Sequence, residues 1–388
     1  MKDDTLVVTG GRDPEHNHGA VNPPVYRAST ILYPSVEAFE APRQLRGVYY
    51  GRGGVPTTFA LEDAIAALEG AAGTVVTGSG KTAIAQALLS FLEAGDHLLM
   101  VDTAYAPTRQ LCDRVLGRFG VEVTFYDPLI GADIERLVRP NTKVVFMESP
   151  GSLTFEVQDV PAIAAVARAR GALSMLDNTW ATPLYFKALD HGVDICIHAA
   201  TKYICGHSDT MMGVASTGAA LHQKLRHGMQ DLGAFISPDD CYQGLKGLRT
   251  LAVRLERHQA TGLRLAEWLQ ARPEVERVLH PALPDNPGHE LWRRDFSGAS
   301  GLFGVLLKPC PKEAWRAMVE GLELFGLGAS WGGYESLIMP NRPERYRTAT
   351  TWDPTFPSIR IHAGLEDPDD LIADLDAGFA RLHRVRAK

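Results

Sequence analysis

The sequence predicts an α/β fold built on a mostly parallel sheet with helices on both faces. From Thr74 onward, short apolar segments of strand length alternate with longer segments of helical period. Such alternation is typical of parallel strands joined by crossover helices. The first 55 residues are rich in Gly, Pro and aromatic residues and have weak periodicity, which predicts an extended arm.

Apolar and β-branched segments define the predicted strands of the sheet, which are Thr74–Thr77, His97–Val101, Val121–Tyr126, Lys143–Met147, Ala172–Leu176 and Asp194–Ile197. Apolar residues at helical spacing define the helices between them, which are Ala83–Leu92, Arg109–Phe119 and Val160–Arg170. Gly247–Ala271 is predicted as one long helix leading to a smaller C-terminal α+β domain. That domain has a predicted strand at Gly301–Leu307 and a helix at Lys312–Gly321.

Composition and charge narrow the possible functions. The chain of 388 residues has a net charge of −7, which argues against a nucleic-acid or anionic-membrane surface. Its apolar stretches are too short to span a bilayer, and residues 1–10 lack the apolar core of a secretory signal. Five scattered cysteines indicate reduced thiols, so a cytoplasmic location is expected. His16 and His18 lack a third ligand, and no metal site is predicted.

Polar residues follow five of the predicted strands. Ligands of open parallel sheets bind at the carboxyl ends of the strands, so these residues should meet at one edge. In chain order they are Gly78-Ser79-Gly80-Lys81, Thr103-Ala104-Tyr105, Glu148-Ser149-Pro150, Asp177-Asn178-Thr179 and Ala200-Thr201-Lys202. A glycine loop, an aromatic residue, carboxylates and a lysine at one edge predict a ligand site.

The segment Gly78–Thr82 is similar to the end of a nucleotide-binding P-loop. That motif requires a glycine five residues before Gly80, where this chain has Val75. A nucleotide-binding protein is therefore an alternative that the spacing disfavours. A glycine turn at a helix N-terminus still suits a phosphate group of another ligand.

Pyridoxal phosphate (PLP) needs three features from a protein, and the strand ends offer all of them. A lysine carries the cofactor as a Schiff base, a carboxylate pairs with the pyridine nitrogen, and an anion cradle holds the phosphate. Lys202 and Asp177 follow adjacent predicted strands, and Gly80 and Lys81 begin a helix beside the same sheet. This combination predicts a PLP enzyme.

The segment Asp194–Ser208 resembles the PLP-attachment signature of the Cys/Met-metabolism enzyme family. The resemblance extends from about Thr9 to Asp367 and includes the following motifs: Tyr50-Gly51-Arg52, Gly80, Tyr105, Asp177-Asn178-Thr179 and Arg360. It implies a PLP-dependent transferase-like fold of fold type I, similar to aspartate aminotransferase. It also implies a homo-oligomer, a tetramer formed as a dimer of dimers.

Three segments resemble the cystathionine β-lyases of bacteria within this family, and they are Ala104–Pro107, Met175–Pro183 and Ser330–Leu337. Val55-Pro56-Thr57 and Ser152-Leu153-Thr154 stand where γ-specific members have Asn-Pro-Thr. The resemblance implies α,β-elimination of cystathionine to homocysteine, pyruvate and ammonia in methionine biosynthesis. A broader cysteine-S-conjugate or cystine β-lyase, a γ-synthase or γ-lyase, and a catalytically silent PLP-binding protein are the alternatives.

The resemblance also implies roles for residues that bind the cofactor. Lys202 should carry PLP and then move the Cα proton of the substrate. Asp177 should pair with the pyridine nitrogen, and Tyr105 should stack on the ring and accept a proton from the substrate amine. The Gly80 and Lys81 N–H groups and the Thr201 hydroxyl should bind the phosphate.

Further roles concern the substrate and the neighbouring subunit. Arg360 should bind the substrate α-carboxylate through two hydrogen bonds, supported by Ser330 and Trp331. Tyr50 and Arg52 should reach the phosphate from a neighbouring subunit, with Tyr50 also near the substrate.

Two positions differ from the usual pattern of the family. Ala199 stands where many members have a phosphate-binding serine, and Lys81 stands where methionine or alanine is common. One hypothesis is that the Lys81 ammonium replaces the lost hydroxyl contact. The alternative is that the Lys81 side chain points to solvent and contributes its backbone alone.

The predicted domain organisation follows from these assignments. Residues 1–55 form an arm that contacts a neighbouring subunit, residues 56–248 form the PLP-binding domain, and residues 249–388 form the C-terminal domain.

Overall fold

The computed structural model describes residues 1–386 as two sheets with surrounding helices. The strands are β1 Gly73–Thr77, β2 His97–Val101, β3 Glu122–Tyr126, β4 Thr142–Glu148, β5 Leu173–Asp177, β6 Ile195–His198, β7 Gly213–Thr217, β8 Val275–Leu279, β9 Leu302–Leu307, β10 Gly326–Leu327, β11 Leu337–Asn341 and β12 Ser358–His362. The α-helices are α1 Asp3–Thr9, α2 Val36–Glu40, α3 Pro56–Glu69, α4 Gly80–Leu89, α5 Ala106–Leu111, α6 Val160–Ala169, α7 Thr182–Tyr185, α8 Ala219–Asp231, α9 Pro238–Arg249, α10 Leu251–Gln270, α11 His289–Asp295, α12 Lys312–Glu320 and α13 Pro368–Arg386.

The larger sheet has seven strands in the order β1-β7-β6-β5-β4-β2-β3. The pairs from β6 to β3 are parallel, whereas β7 pairs antiparallel with both β6 and β1. The mostly parallel α/β sheet predicted from the sequence is therefore confirmed. Sequence reasoning missed β7, a strand of small and β-branched residues, and its antiparallel pairing with β1.

Burial on both faces explains why these strands are apolar throughout. All five residues of β2 and all of β7 are buried, because helices cover both faces of a parallel sheet. The helix α6 begins at Asp159, whose carboxylate accepts the Ala162 N–H, and its alanine-rich face packs on β4 and β5. The carboxyl ends of β4, β5 and β6 consequently lie together at one edge.

The smaller sheet has five strands in the order β10-β11-β12-β9-β8. Its core includes Phe303, Ile359 and Ile361, and the helices α12 and α13 pack against each other beside it. The strand β12 lies between β11 and β9, so the backbone of Arg360 is held from both sides. Among the described residues, no helix is both long and apolar enough to cross a membrane.

The single long helix predicted over Gly247–Ala271 is wrong, because the chain forms two helices that meet at Thr250. Thr250 has φ −113° and ψ 7°, outside the helical range, and its hydroxyl donates to the Gly247 carbonyl oxygen. The Arg254 guanidinium donates to the same oxygen and to the Tyr203 carbonyl oxygen. This break ties the start of α10 to the turn that follows Lys202.

Two other segments differ from their predicted form. Residues 1–55 are not uniformly extended, since α1 is helical and buries Val7 against α3 and α9. The helix predicted over Arg109–Phe119 is a composite: α5 continues as a π-helical turn at Cys112–Leu116 and a 3-10 turn at Gly117–Phe119.

A buried carboxylate joins the two sheets near the rim of the strand ends. Asp102 follows β2 and accepts the N–H groups of Thr348, Ala349 and Thr350 at 3.0–3.1 Å, together with two threonine hydroxyls. Arg109 pairs with the same carboxylate at 2.9 Å. Burial favours the neutral acid, but the hydrogen bonds outweigh it and lower the pKa of Asp102. The loop between β11 and β12 is therefore fixed to the larger sheet.

We expect Asp102→Asn to lower the free energy of unfolding by about 3 kcal/mol. The asparagine amide would place its own N–H group against the N–H and O–H donors that now bind the carboxylate. The change should appear as a lower thermal unfolding midpoint of the holoenzyme. Asp353→Asn is the matched control, since the exposed Asp353 makes a local bond to Thr355 N–H on the same loop. Equal midpoints for the two variants would contradict the role of Asp102.

Candidate active site

A cavity of about 430 Å³ lies where the carboxyl ends of the parallel strands face the second sheet. It brings together most of the site residues predicted from the sequence, which are Gly80, Lys81, Tyr105, Asp177, Thr201, Lys202, Trp331 and Arg360. The residues from the two sheets face each other across this space. Such a partly apolar, concave space with a few convergent polar groups is typical of a small-molecule site.

Lys202 lies in a tight turn directly after β6. The turn is closed by hydrogen bonds from Lys202 N–H to the Ala199 carbonyl oxygen and from Gly206 N–H to the Lys202 carbonyl oxygen. Its Nζ donates to the Ser330 hydroxyl at 2.7 Å and lies 5.6 Å from the centre of the Trp331 ring. Burial and the nearby Arg360 lower the pKa of Lys202 to about 8. The amine can therefore exist in its neutral, nucleophilic form near neutral pH.

Asp177 ends β5 and presents a buried carboxylate to the cavity. Burial raises its pKa, whereas hydrogen bonds from Thr179 oppose the rise. The Thr179 N–H and hydroxyl donate to Oδ1 at 3.0 and 2.5 Å, which leaves Oδ2 for a ligand.

The Thr179 hydroxyl has a second partner, the Ala199 N–H at 2.9 Å. It thus connects the end of β5 to the turn that carries Lys202. Sequence reasoning quoted Thr179 within a motif but assigned it no role. A threonine two residues after a buried strand-end aspartate was the available signal, because such hydroxyls commonly bind nearby acceptors.

Glu148 is a second carboxylate of the cavity, half-buried, that sequence reasoning did not assign. It ends β4, lines the cavity and accepts the Tyr105 N–H at 2.7 Å. Burial and the neighbouring Asp177 raise the pKa of Glu148 well above its ordinary range. Tyr105 caps the start of α5 beside the cavity, and its pKa is raised by burial and by Glu148. Glu148 therefore helps to fix the backbone position of Tyr105.

The N-terminus of α4 forms a cradle that suits an anion. Ser79 caps the helix by accepting the Thr82 N–H. The N–H groups of Gly80 and Lys81, in the first turn of the helix, have no acceptor among the described residues. A Cβ on Gly80 would lie 2.4 Å from the Ala199 Cβ, so position 80 excludes any side chain. The Lys81 side chain is exposed at the edge of the cavity.

Thr201 lines the cavity, and its hydroxyl is already engaged with Met212. It accepts the Met212 N–H at 2.8 Å and donates to the Met212 carbonyl oxygen at 3.1 Å. To accept a hydrogen bond from Thr201, a phosphate would have to replace the Met212 carbonyl oxygen as the acceptor of the hydroxyl proton.

Arg360 reaches the cavity from β12 in the smaller sheet. Its Nη2 donates to the carbonyl oxygens of Ala329 and Ser330 at 2.7 and 2.9 Å, which leaves Nη1 and Nε available to a ligand. Burial lowers the pKa of Arg360 to about 10, and the group stays a cation at neutral pH. A planar, oriented guanidinium of this kind suits a carboxylate.

Gly332 packs directly against the backbone of the lysine turn. It has φ +85°, and a Cβ there would lie 2.8 Å from the Lys202 carbonyl carbon. Its N–H donates to His362 Nε2, two residues after Arg360. The Ser330–Gly332 segment is thereby held between Lys202 and β12.

Tyr50 and Arg52 do not line this cavity. Both are exposed and border a separate surface depression that also includes Gln223 and His227 of α8. A single chain therefore does not bring these two residues to the Lys202 site.

The residues present fit PLP. A lysine with a pKa near 8, a buried carboxylate with a free oxygen, and a side-chain-free helix N-terminus converge on one cavity. PLP supplies an electron-accepting ring that stabilises negative charge on the α-carbon of a bound amino acid.

Comparisons with known proteins agree with this fit. Residues 4–380 match the family model described as Cys/Met metabolism PLP-dependent enzyme. A cystathionine β-lyase of Escherichia coli is 48% identical over 388 residues, covering 98% of both chains. A cystathionine β-lyase of Salmonella typhimurium is 47% identical with the same coverage. A crystal structure of cystathionine γ-synthase from Xanthomonas oryzae superposes with a TM-score of 0.91 at 33% identity, covering 99% of both chains.

The fold and the site define a PLP-dependent enzyme. The chain belongs to the Cys/Met metabolism family of PLP-dependent enzymes. The fold type I architecture and the PLP cofactor inferred from the sequence are confirmed by this membership and by the structural match.

We expect Thr179→Val to weaken PLP binding by roughly 10- to 100-fold, because the hydroxyl bond to the Asp177 carboxylate and the bond accepted from the Ala199 N–H are both lost. Equilibrium titration of the apoenzyme with PLP measures the change. Thr179→Ser keeps the hydroxyl and should bind PLP as the parent does. Equal weakening in both variants would contradict the role of the hydroxyl.

The lowered pKa of Lys202 predicts how PLP capture depends on pH. The amine is protonated and unreactive below about pH 8 and becomes neutral above it, so the rate of covalent PLP capture by the apoenzyme should rise with a midpoint near 8. In Arg360→Met, loss of the neighbouring cation should move that midpoint to higher pH. An unchanged midpoint in the variant would remove Arg360 as a cause.

Proposed function

We propose that this enzyme catalyses α,β-elimination of L-cystathionine, producing homocysteine, pyruvate and ammonia in methionine biosynthesis. The observation that carries the proposal is the position of Lys202 Nζ between the Ser330 hydroxyl and the Trp331 ring, with Arg360 across the same cavity. Full-length similarity to enzymes named cystathionine β-lyase supports the same assignment.

The roles of the residues follow from their placement. Arg360 binds the substrate α-carboxylate through its free Nη1 and Nε, which places the Cα–H bond near Lys202. The neutral Lys202 amine removes the Cα proton, and its ammonium returns a proton to the departing homocysteine thiolate. Asp177 would hold the pyridine nitrogen of the cofactor through Oδ2, and Tyr105 would lie beside the cofactor ring and accept a proton from the substrate amine. Water then converts the three-carbon remainder into pyruvate and ammonia.

We place the cofactor phosphate at the N-terminus of α4. The unpaired N–H groups of Gly80 and Lys81 support this position, with the Thr201 hydroxyl on the opposite side. The exposed Lys81 ammonium lies on the rim of the same cavity, where it can add a charge contact in place of the serine that Ala199 replaces.

We further propose that the active site is shared between subunits of a cytoplasmic homotetramer. The supporting observation is that Tyr50 and Arg52, expected near the phosphate and the substrate, lie outside the cavity of their own chain. In this arrangement residues 1–55 form the arm that reaches a neighbour, residues 56–248 bind PLP and residues 249–388 form the C-terminal domain.

Identification of the keto acid formed from L-cystathionine tests the reaction. We expect pyruvate from the purified holoenzyme and none from Lys202→Ala, which removes the amine that moves the proton. Formation of 2-oxobutyrate would overturn the assignment, because the α,γ route leaves a four-carbon product and needs an additional proton removal at Cβ. Comparison of rates on L-cystathionine and L-cystine separates a dedicated enzyme from a broader S-conjugate β-lyase.

Mixed oligomers test the shared site. Arg52→Ala and Lys202→Ala should each be nearly inactive alone, and activity should return when the two variants are unfolded together and reassembled. In a hybrid dimer, one site receives the intact Lys202 from one chain and the intact Arg52 from the other. Absence of recovery in mixed oligomers of native mass would place Arg52 in the site of its own chain.

A further inference from the structure

A second cluster of chemically capable side chains lies outside the cofactor cavity, between α3 and β6. It consists of Glu69, the last residue of α3, and of Cys196 and His198, alternate residues of β6 that point to the same face. The three residues are at most 1% exposed. None of them has a role in the proposed reaction.

The ligand-forming atoms of the cluster converge on one point. Cys196 Sγ lies 3.3 Å from His198 Nε2 and 3.5 Å from Glu69 Oε1, and the last two atoms are in direct contact. All three atoms lie within 4.8 Å of one another. Cys196 and His198 lie 127 and 129 residues after Glu69 in the sequence, so no local spacing revealed the cluster.

The protein alone leaves this cluster with unsatisfied polar atoms. Glu69 Oε2 and Asn178 Oδ1 are buried and have no hydrogen-bond partner among the described residues. The Asn178 amide adjoins the Cys196 thiol. A buried oxygen without a partner is unfavourable, and a bound ion or water is the usual explanation.

We propose that Glu69, Cys196 and His198 bind a zinc ion. Thiolate, imidazole and carboxylate are the three ligand types that Zn²⁺ takes in proteins. One thiolate and one carboxylate neutralise the two positive charges, which suits a site with almost no solvent exposure. Binding releases the thiol proton of Cys196 to solvent and moves the proton shared by His198 Nε2 and Glu69 Oε1 to His198 Nδ1, with no redox change.

The distances are close to those of a tetrahedral site. Zn–S bonds of about 2.3 Å and Zn–N or Zn–O bonds of about 2.0 Å put neighbouring ligand atoms about 3.3–3.7 Å apart. Both distances from Cys196 Sγ fall in this range. The Glu69 carboxylate has to withdraw from His198 by about 1 Å.

A simple hydrogen bond between Glu69 and His198 is the competing explanation. It accounts for one contact but not for the inward-facing thiol or for the two unsatisfied oxygens.

Metal analysis of the untagged holoenzyme, purified from zinc-supplemented cells, tests the proposal. We expect about one zinc per chain by elemental analysis, and its loss in Cys196→Ser and His198→Gln. The matched control is Cys241→Ser, which changes another fully buried cysteine outside the cluster and should keep its zinc. Equal zinc content in Cys196→Ser and Cys241→Ser would overturn the proposal.

X-ray absorption at the zinc edge of the parent enzyme decides the question even if the variants do not fold. We expect one sulfur and two or three nitrogen or oxygen neighbours. A shell of nitrogen and oxygen alone, or protein without stoichiometric zinc after refolding with PLP and Zn²⁺, would overturn the proposal.

Discussion

The Thr179 hydroxyl connects the two parts of the candidate site that carry Asp177 and Lys202. Thr179 donates to the Asp177 carboxylate and accepts the Ala199 N–H, so the ends of β5 and β6 are joined by a side chain beyond the last backbone pair. The backbone bond from Asn178 N–H to the Ile197 carbonyl oxygen holds the two strand ends together, and the Thr179 bridge extends this connection to the turn that carries Lys202. The cavity therefore depends on a short, buried contact between neutral and charged groups, which low dielectric strengthens.

A second constraint is the effect of burial on the ionisable groups of the cavity. The buried Asp177 and the half-buried Glu148 are carboxylates whose pKa values are raised, while burial lowers the pKa values of Lys202 and Arg360. Each group is thus moved toward its neutral form, and the cations and anions of the cavity face one another. A site of this kind favours groups that gain and lose a proton over groups that stay charged, as an acid–base reaction requires.

The sequence predicted the parallel part of the larger sheet because its central strands are largely buried and mostly apolar. It also predicted the residues that directly follow those strands, since strand ends of a parallel sheet share one edge. The break at Thr250 was missed because apolar spacing continues through both helices, and a hydroxyl bond to Gly247 decides the outcome.

Features that depend on tertiary contact were beyond prediction from local pattern. The bridging role of Thr179, the loop held by Asp102, and the Glu69–Cys196–His198 cluster each join residues from different elements. The proposed contributions of Tyr50 and Arg52 would require a further chain, and they came from family resemblance. Spacing reveals which residues share an edge or a face, whereas these contacts depend on how separate elements pack.

The position of Gly332 has a consequence for motion. Because a hydrogen atom is all that separates its α-carbon from the lysine turn on that side, the Ser330–Gly332 segment cannot rotate toward the larger sheet. The same segment holds Arg360 through its carbonyl oxygens and His362 through its N–H. The amine of Lys202 and the guanidinium of Arg360 therefore contact the same short segment, and moving the smaller sheet away from the lysine turn would require these contacts to break.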